Sequence, residues 1–295
     1  MHFMSQLRHD IGHLVVEGRL SREGLRPVIA LRPPPARWAR VDPAGWLVRP
    51  LAADGGTPPG LRLVCFPHAG GGPAAFRPWA LVARQDAAVM AVQLPGREQR
   101  AAEAPVASIT AAADAVTAAL LAWDDGLPLV LYGHSMGTLV ALEVAHRLHA
   151  AGRTPRLLAV GARIPPDQAS RAAALLDLDD DGFFDTVDRL YGGTPVAVRN
   201  DPSLRAHYLR LMRADFAIGS RLPAATIDRP PLPCPILALS GADDRAAPPA
   251  AMAGWAAFTA GGFSAVTLPG GHFFAIEWPR PAVARILAAA RNPAD

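Results

Sequence analysis

Gly133-His134-Ser135-Met136-Gly137 sets a serine between two glycines, directly after the apolar run Leu129 to Tyr132 and before a helix-forming stretch. A hydroxyl on so tight a strand-to-helix turn is exposed for attack on an acyl carbon. Chance supplies only about 0.07 such pentapeptides in a chain of this composition. A serine hydroxyl is a weak nucleophile until a base removes its proton, so this turn calls for a histidine and an acid further along. Ile236 to Ser240 reads as an apolar strand ending in Gly241-Ala242-Asp243-Asp244, and Gly270-Gly271-His272 follows the next strand. Asp244 fits the Gly-x-x-Asp spacing, with Asp243 as runner-up and Asp167 as a competing acid beyond another strand. Ser135, Asp244 and His272 therefore form a candidate nucleophile, acid and base in the order Ser, Asp, His.

Attack on a carbonyl also needs N–H donors for the oxygen that becomes negative. The run Leu63 to Gly72 ends in Pro67-His68-Ala69-Gly70-Gly71-Gly72, a glycine-rich turn after a strand that can expose amides. The second donor is expected from Met136, the residue after the nucleophile. A phosphate loop is disfavoured because the Gly-x-x-x-x-Gly-Lys-Ser/Thr pattern is absent. His134 and His68 read as structural or solvated, and Cys65, inside its strand, as a buried inert thiol.

The elements that must hold these residues alternate. Candidate strands are Leu61 to Phe66, Val89 to Leu94, Leu129 to Gly133, Leu157 to Gly161, Ile236 to Ser240 and Ala265 to Leu268. Most are continuous apolar runs, as strands covered on both faces require. Between them, Ile109, Ala113, Val116, Leu120 and Trp123 fall at helical spacing behind a Ser108 N-cap, and Thr138 to His149 is a second helix. The pattern is α/β with a mainly parallel sheet. It breaks over about residues 165–229, a helix-rich insertion that is a candidate lid. Within it, Asp177, Asp179, Asp181, Gly182, Asp185 and Asp188 approximate a calcium loop, with Asp where the terminal Glu belongs. The preferred reading is an acidic helix N-terminus near Phe183 to Leu190, stopped by Gly192.

Composition sets the limits. The chain has 295 residues, 51% hydrophobic and 19% charged, enough for one large core. All 29 basic side chains are arginine, and the net charge of +3 is too small and scattered to imply nucleic acid. Two cysteines make no disulfide framework. No apolar run reaches the roughly 18 residues of a membrane span, and the charged opening does not read as a signal peptide, so a cytoplasmic, non-membrane protein is expected. Residues 1–45 read as a loosely ordered extension, with Met4 as an alternative start, and 46–295 as the folded domain.

The motifs resemble the type II thioesterases that accompany polyketide synthases and nonribosomal peptide synthetases. The resemblance runs from about Trp46 to the C-terminus. It rests on Cys65-Phe66-Pro67-His68-Ala69-Gly70-Gly71, Leu94-Pro95-Gly96-Arg97-Glu98 with Arg100, the serine turn, Tyr191-Gly192-Gly193-Thr194-Pro195, Arg213-Ala214-Asp215-Phe216 and Gly270-Gly271-His272-Phe273-Phe274. The N-terminal extension departs from the family, as does Asp244-Arg245, where Asp-Pro is expected. The resemblance implies an α/β-hydrolase fold with a helical lid. It also implies hydrolysis of acyl thioesters from the phosphopantetheine arms of acyl or peptidyl carrier proteins. In that reaction Ala69 and Met136 donate their N–H groups to the oxyanion, with no cofactor and no metal. Arginines would meet the acidic surface of the carrier, and Leu94 to Arg100 would be either a docking element or a site-edge loop. Rival functions are a small-molecule carboxylesterase or lipase, a transacylase or cyclising enzyme, and a non-catalytic binding module of the same fold.

Overall fold

The computed structural model describes residues 38–50, 60–168, 172–220 and 227–292. Eight strands form one sheet: β1 (Trp38–Arg40), β2 (Leu47–Pro50), β3 (Arg62–Phe66), β4 (Ala88–Val92), β5 (Leu129–His134), β6 (Leu157–Gly161), β7 (Ile236–Gly241) and β8 (Phe263–Leu268). Their order across the sheet is β1-β2-β4-β3-β5-β6-β7-β8. The pairs from β4 through β3 to β8 are parallel, and only β1–β2 and β2–β4 are antiparallel. Strands β3, β5, β6 and β7 are buried along their whole length, as their uninterrupted apolar sequences require.

The connections are helical. They include α1 (Arg77–Ala83), α2 (Ile109–Ala122) and α3 (Met136–Ala150). The Ser108 side chain caps α2 by accepting the Ala111 N–H at 3.0 Å, as its position predicts. Buried positions of α2 and α3 fill one apolar cluster with Val64, Met90, Leu131 and Val160 of the sheet. That rigid layer fixes the ends of β3, β5 and β7, where the chemically interesting residues lie. A mostly parallel sheet, helices in the crossovers and a serine turn after β5 make this an α/β-hydrolase fold.

The hairpin β1–β2 lies partly within residues 1–45, which the sequence assigns to an extension, and β1 is paired into the sheet from Trp38. Its turn is built by Asp42, whose carboxylate accepts the N–H groups of Trp46 at 3.2 Å and Leu47 at 2.6 Å, with Gly45 at φ 72°. Strands of three and four residues carry too little alternation to be read from sequence. The rest of the expected extension lies outside the described residues.

Part of the expected lid, residues 169–171 and 221–226, also lies outside them. The described part contains α4 (Ala172–Leu175), α5 (Asp180–Tyr191), α6 (Val196–Asn200) and α7 (Pro202–Gly219). Phe183, Phe184, Val187, Leu209, Met212 and Phe216 give it a small apolar core of its own. Asp179 caps α5 through the Gly182 N–H at 2.8 Å, and Gly192 ends it at φ 70°. Asp180 pairs with Arg213, Asp181 with Arg205 and Asp188 with Arg199, so these acidic residues cap and tie the lid helices together. No helix among the described residues is long and apolar enough to cross a membrane.

Candidate active site

The turn after β5 leaves no room for side chains on either flank of Ser135. A Cβ on Gly133 would lie 2.3 Å from the Thr138 Cα, and one on Gly137 would lie 2.3 Å from the Phe66 carbonyl oxygen. Ser135 itself sits at φ 54°, a conformation L residues rarely adopt. It is held by its own N–H, which donates to the Gly161 carbonyl at 2.8 Å. The Thr138 hydroxyl donates to the Gly133 carbonyl at 2.8 Å from the other side of the turn.

The loops after β7 and β8 bring the acid and the imidazole to this hydroxyl. His272 Nε2 lies 3.0 Å from Ser135 Oγ, and His272 Nδ1 lies 3.0 and 3.1 Å from the two oxygens of Asp244. A carboxylate only accepts, so Nδ1 carries the proton and Nε2 is left to accept from the serine. Close packing of the two loops depends on Gly241, whose Cβ would meet the Gly271 carbonyl oxygen at 2.2 Å. Asp244 is 3% exposed. Burial alone would raise its carboxyl, but the His272 hydrogen bond and the Ala246 and Ala247 N–H groups hold it below its ordinary value. Asp243 and Asp167 are both exposed, so of the three acids only Asp244 meets the imidazole.

The glycine-rich turn after β3 arrives beside the serine. Gly70 donates its N–H to Asp215 Oδ2 at 2.7 Å. Asp215, from α7, is in turn held by Arg97 through two bonds of 2.7 and 2.8 Å, and neither side chain is more than 3% exposed. Arg97 also donates to the Gly71 carbonyl at 3.2 Å. The Leu94 to Arg100 segment therefore fastens the lid helix to this turn. Ala69 and Met136 both line the cavity beside Ser135. Met136 occupies the first position of α3, where an N–H has no intrahelical acceptor.

A thioesterase domain profile matches residues 61–290. The chain belongs to the thioesterase family. It is 35% identical to a probable cadicidin biosynthesis thioesterase of Streptomyces griseus, over 82% of this chain and 65% of that protein. Among solved structures, RedJ, a thioesterase of prodiginine biosynthesis in Streptomyces coelicolor, is 37% identical at TM-score 0.68, covering 81% of this chain and 94% of RedJ. YbtT, a type II thioesterase of the yersiniabactin pathway, is 29% identical at TM-score 0.73, covering 82% and 97%. These likenesses place the thioesterase among the type II enzymes.

Two parts of the thioesterase site have no signal in local sequence. His134 is fully buried, with Nδ1 2.7 Å from the Tyr132 hydroxyl and Nε2 3.0 Å from the His272 carbonyl oxygen. The carbonyl can only accept, so Nε2 carries the proton and Nδ1 accepts from Tyr132. Burial, with repulsion from His272 and His68, keeps this ring far below the ordinary histidine pKa and hence neutral. His134 thus supports the backbone that carries the catalytic candidate. Above Ser135, a cavity of about 200 Å³ is walled by lid residues Val187, Met212 and Phe216 and by Arg163 and Tyr191. Tyr191 meets the His272 ring edge to face at 4.8 Å. Cys65 lies away from this cavity, and burial raises its thiol well above the ordinary range.

Proposed function

We propose that this thioesterase removes acyl groups from the phosphopantetheine arms of carrier proteins by way of a Ser135 acyl-enzyme. Ser135 Oγ attacks the thioester carbonyl while His272 Nε2 takes its proton. Asp244 holds the imidazole in the required tautomer and stabilises the imidazolium. The oxyanion of the tetrahedral intermediate is received by the Ala69 and Met136 N–H groups. Collapse breaks the C–S bond, and the leaving sulfur takes the proton from the His272 imidazolium; a thiol of pKa near ~8.5 makes that transfer undemanding, and the ring is neutral again. His272 then takes a proton from water, whose oxygen attacks the acyl-serine, and the carboxylic acid departs as Ser135 regains its proton.

The observation that carries this reading is the 3.0 Å approach of His272 to Ser135 with Asp244 at 3.0 Å on the far nitrogen, at the floor of a mostly apolar cavity. The relatives from cadicidin and prodiginine biosynthesis and from the yersiniabactin NRPS/PKS pathway support the carrier-bound substrate. A carrier with an acidic face would be met by arginines on a chain of net charge +3. The test is a competition among acyl-loaded carrier domains, the matching coenzyme A thioesters and simple oxygen esters. The expected result is faster hydrolysis of the carrier-bound thioester to free acid, with a rate that falls as salt is added. Faster turnover of oxygen esters would instead mark a carboxylesterase.

A further inference from the structure

Arg163 is held in the cavity wall by a constrained stretch of backbone. It follows β6 by two residues, and Ala162 between them sits at φ 54° while 1% exposed. Strain of that kind in a buried non-glycine residue persists only where its surroundings enforce it. Trp255, fully buried, fixes the next carbonyl by donating from Nε1 to Arg163 O at 2.8 Å. The backbone is thus held so that the Arg163 side chain lines the cavity over Ser135.

The guanidinium is under-used there. Of its five N–H donors, one makes a 3.3 Å bond to the Gly219 carbonyl, and Nε is buried with no acceptor among the described residues. Burial lowers its pKa, and among the described residues the Tyr191 hydroxyl is the titratable neighbour that opposes this. Asp215, on the same cavity wall, has both oxygens engaged by Arg97 and Gly70. Among the described residues, this buried cation keeps spare donors that no carboxylate of the cavity wall meets.

We infer that Arg163 recognises an oxygen carried by the acyl chain beyond the thioester, so that the cavity selects oxo- or carboxyl-bearing acyl groups over plain alkyl ones. This inference rests on the thioesterase reading and specifies its substrate class. A single lost hydrogen bond to a charged group corresponds to about 10- to 100-fold in kcat/KM.

The experiment uses N-acetylcysteamine thioesters of hexanoate, 3-oxohexanoate and adipate, which lack a phosphate that could engage the cation. Rates are normalised to hydroxide-catalysed hydrolysis of each thioester. Wild-type enzyme is expected to favour an oxygenated chain over hexanoyl, and the 3-oxo and adipyl arms separate a keto oxygen from a carboxylate. Arg163→Met should remove that preference, lowering turnover of the oxygenated thioesters about 10- to 100-fold more than that of the hexanoyl thioester, and Arg163→Lys should restore part of it. An equal loss on all three thioesters in Arg163→Met, or a preference that survives in it, overturns the inference. So does the absence of preference in wild-type enzyme, which requires no variant to fold. Wild-type enzyme inert towards all three, and towards the same acyl groups loaded on a carrier domain, overturns the proposed hydrolysis itself rather than the role of Arg163.

Discussion

Replacing Asp215 by Asn should damage both stability and turnover, because this carboxylate joins the lid to the turn that presents Ala69. Arg97 is 3% exposed and its partner 1%, so the neutral amide leaves a buried guanidinium without its counter-charge. Such a loss costs about 3–5 kcal/mol. For a domain of this size, that corresponds to a melting temperature lower by roughly 10 °C. The 2.7 Å bond from the Gly70 N–H also loses its charged acceptor. Removal of an oxyanion donor costs about 10²–10³ in kcat, and a donor displaced rather than removed should cost about 10- to 100-fold. The assay is kcat on an acyl-N-acetylcysteamine thioester beside thermal melting, for Asp215→Asn and for the apolar pair Arg97→Met with Asp215→Leu. The pair should regain much of the lost melting temperature, since it buries no lone charge, while kcat stays low. A pair with wild-type kcat would refute the positioning role, and a single variant melting within about 2 °C of wild type would refute the energetic argument.

Three further outcomes follow from the site. Asp244→Asn should lower kcat by about 10³–10⁴ with little change in KM, because the amide no longer enforces the Nδ1–H tautomer of His272; steady-state kinetics on one thioester checks this, and a fall below tenfold contradicts it. Gly137→Ala forces a Cβ to within 2.3 Å of the Phe66 carbonyl, so its melting temperature should drop by about 5–10 °C. Burial, then repulsion from His272 and Arg97, lowers His68 to about 3, and His134 is depressed in the same sense. Their neutral rings stabilise the fold fully above the unfolded histidine pKa near ~6.5. Below it the unfolded chain binds protons that the folded chain refuses. From pH 7.5 to pH 5, His68 should cost about 2 kcal/mol, with His134 adding to it. Urea midpoints at the two pH values measure the loss, and equal midpoints would contradict it.

Ser135, Asp244 and His272 were legible in sequence because each stands just past a continuous apolar strand and their order matches one fold. The parallel sheet was legible for the same reason, down to Leu157–Gly161 at both ends. Other features leave no local trace. Arg97 and Asp215 are 118 residues apart, and nothing near either announces the other, although both sit in segments that carry the family resemblance. Arg163 is one of many arginines in a lysine-free chain, and its place in the cavity comes from a strained Ala162 that no propensity foretells. His134 reads from sequence as either structural or solvated; burial makes it structural, and which backbone it supports is decided by the β8 loop. The hairpin β1–β2 is not legible because strands of three and four residues show no period, although Asp42-Pro43-Ala44-Gly45 is a turn signature.

The central claim is covalent chemistry at one hydroxyl. Wild-type enzyme turning over an acyl-loaded carrier domain should be acid-quenched on the millisecond scale, digested and analysed by mass spectrometry. The peptide containing Ser135 is predicted to carry the acyl mass, and Ser135→Ala should carry none and release no free acid above background. Hydrolysis at the wild-type rate by Ser135→Ala, or an acyl group trapped on another residue, would contradict the account.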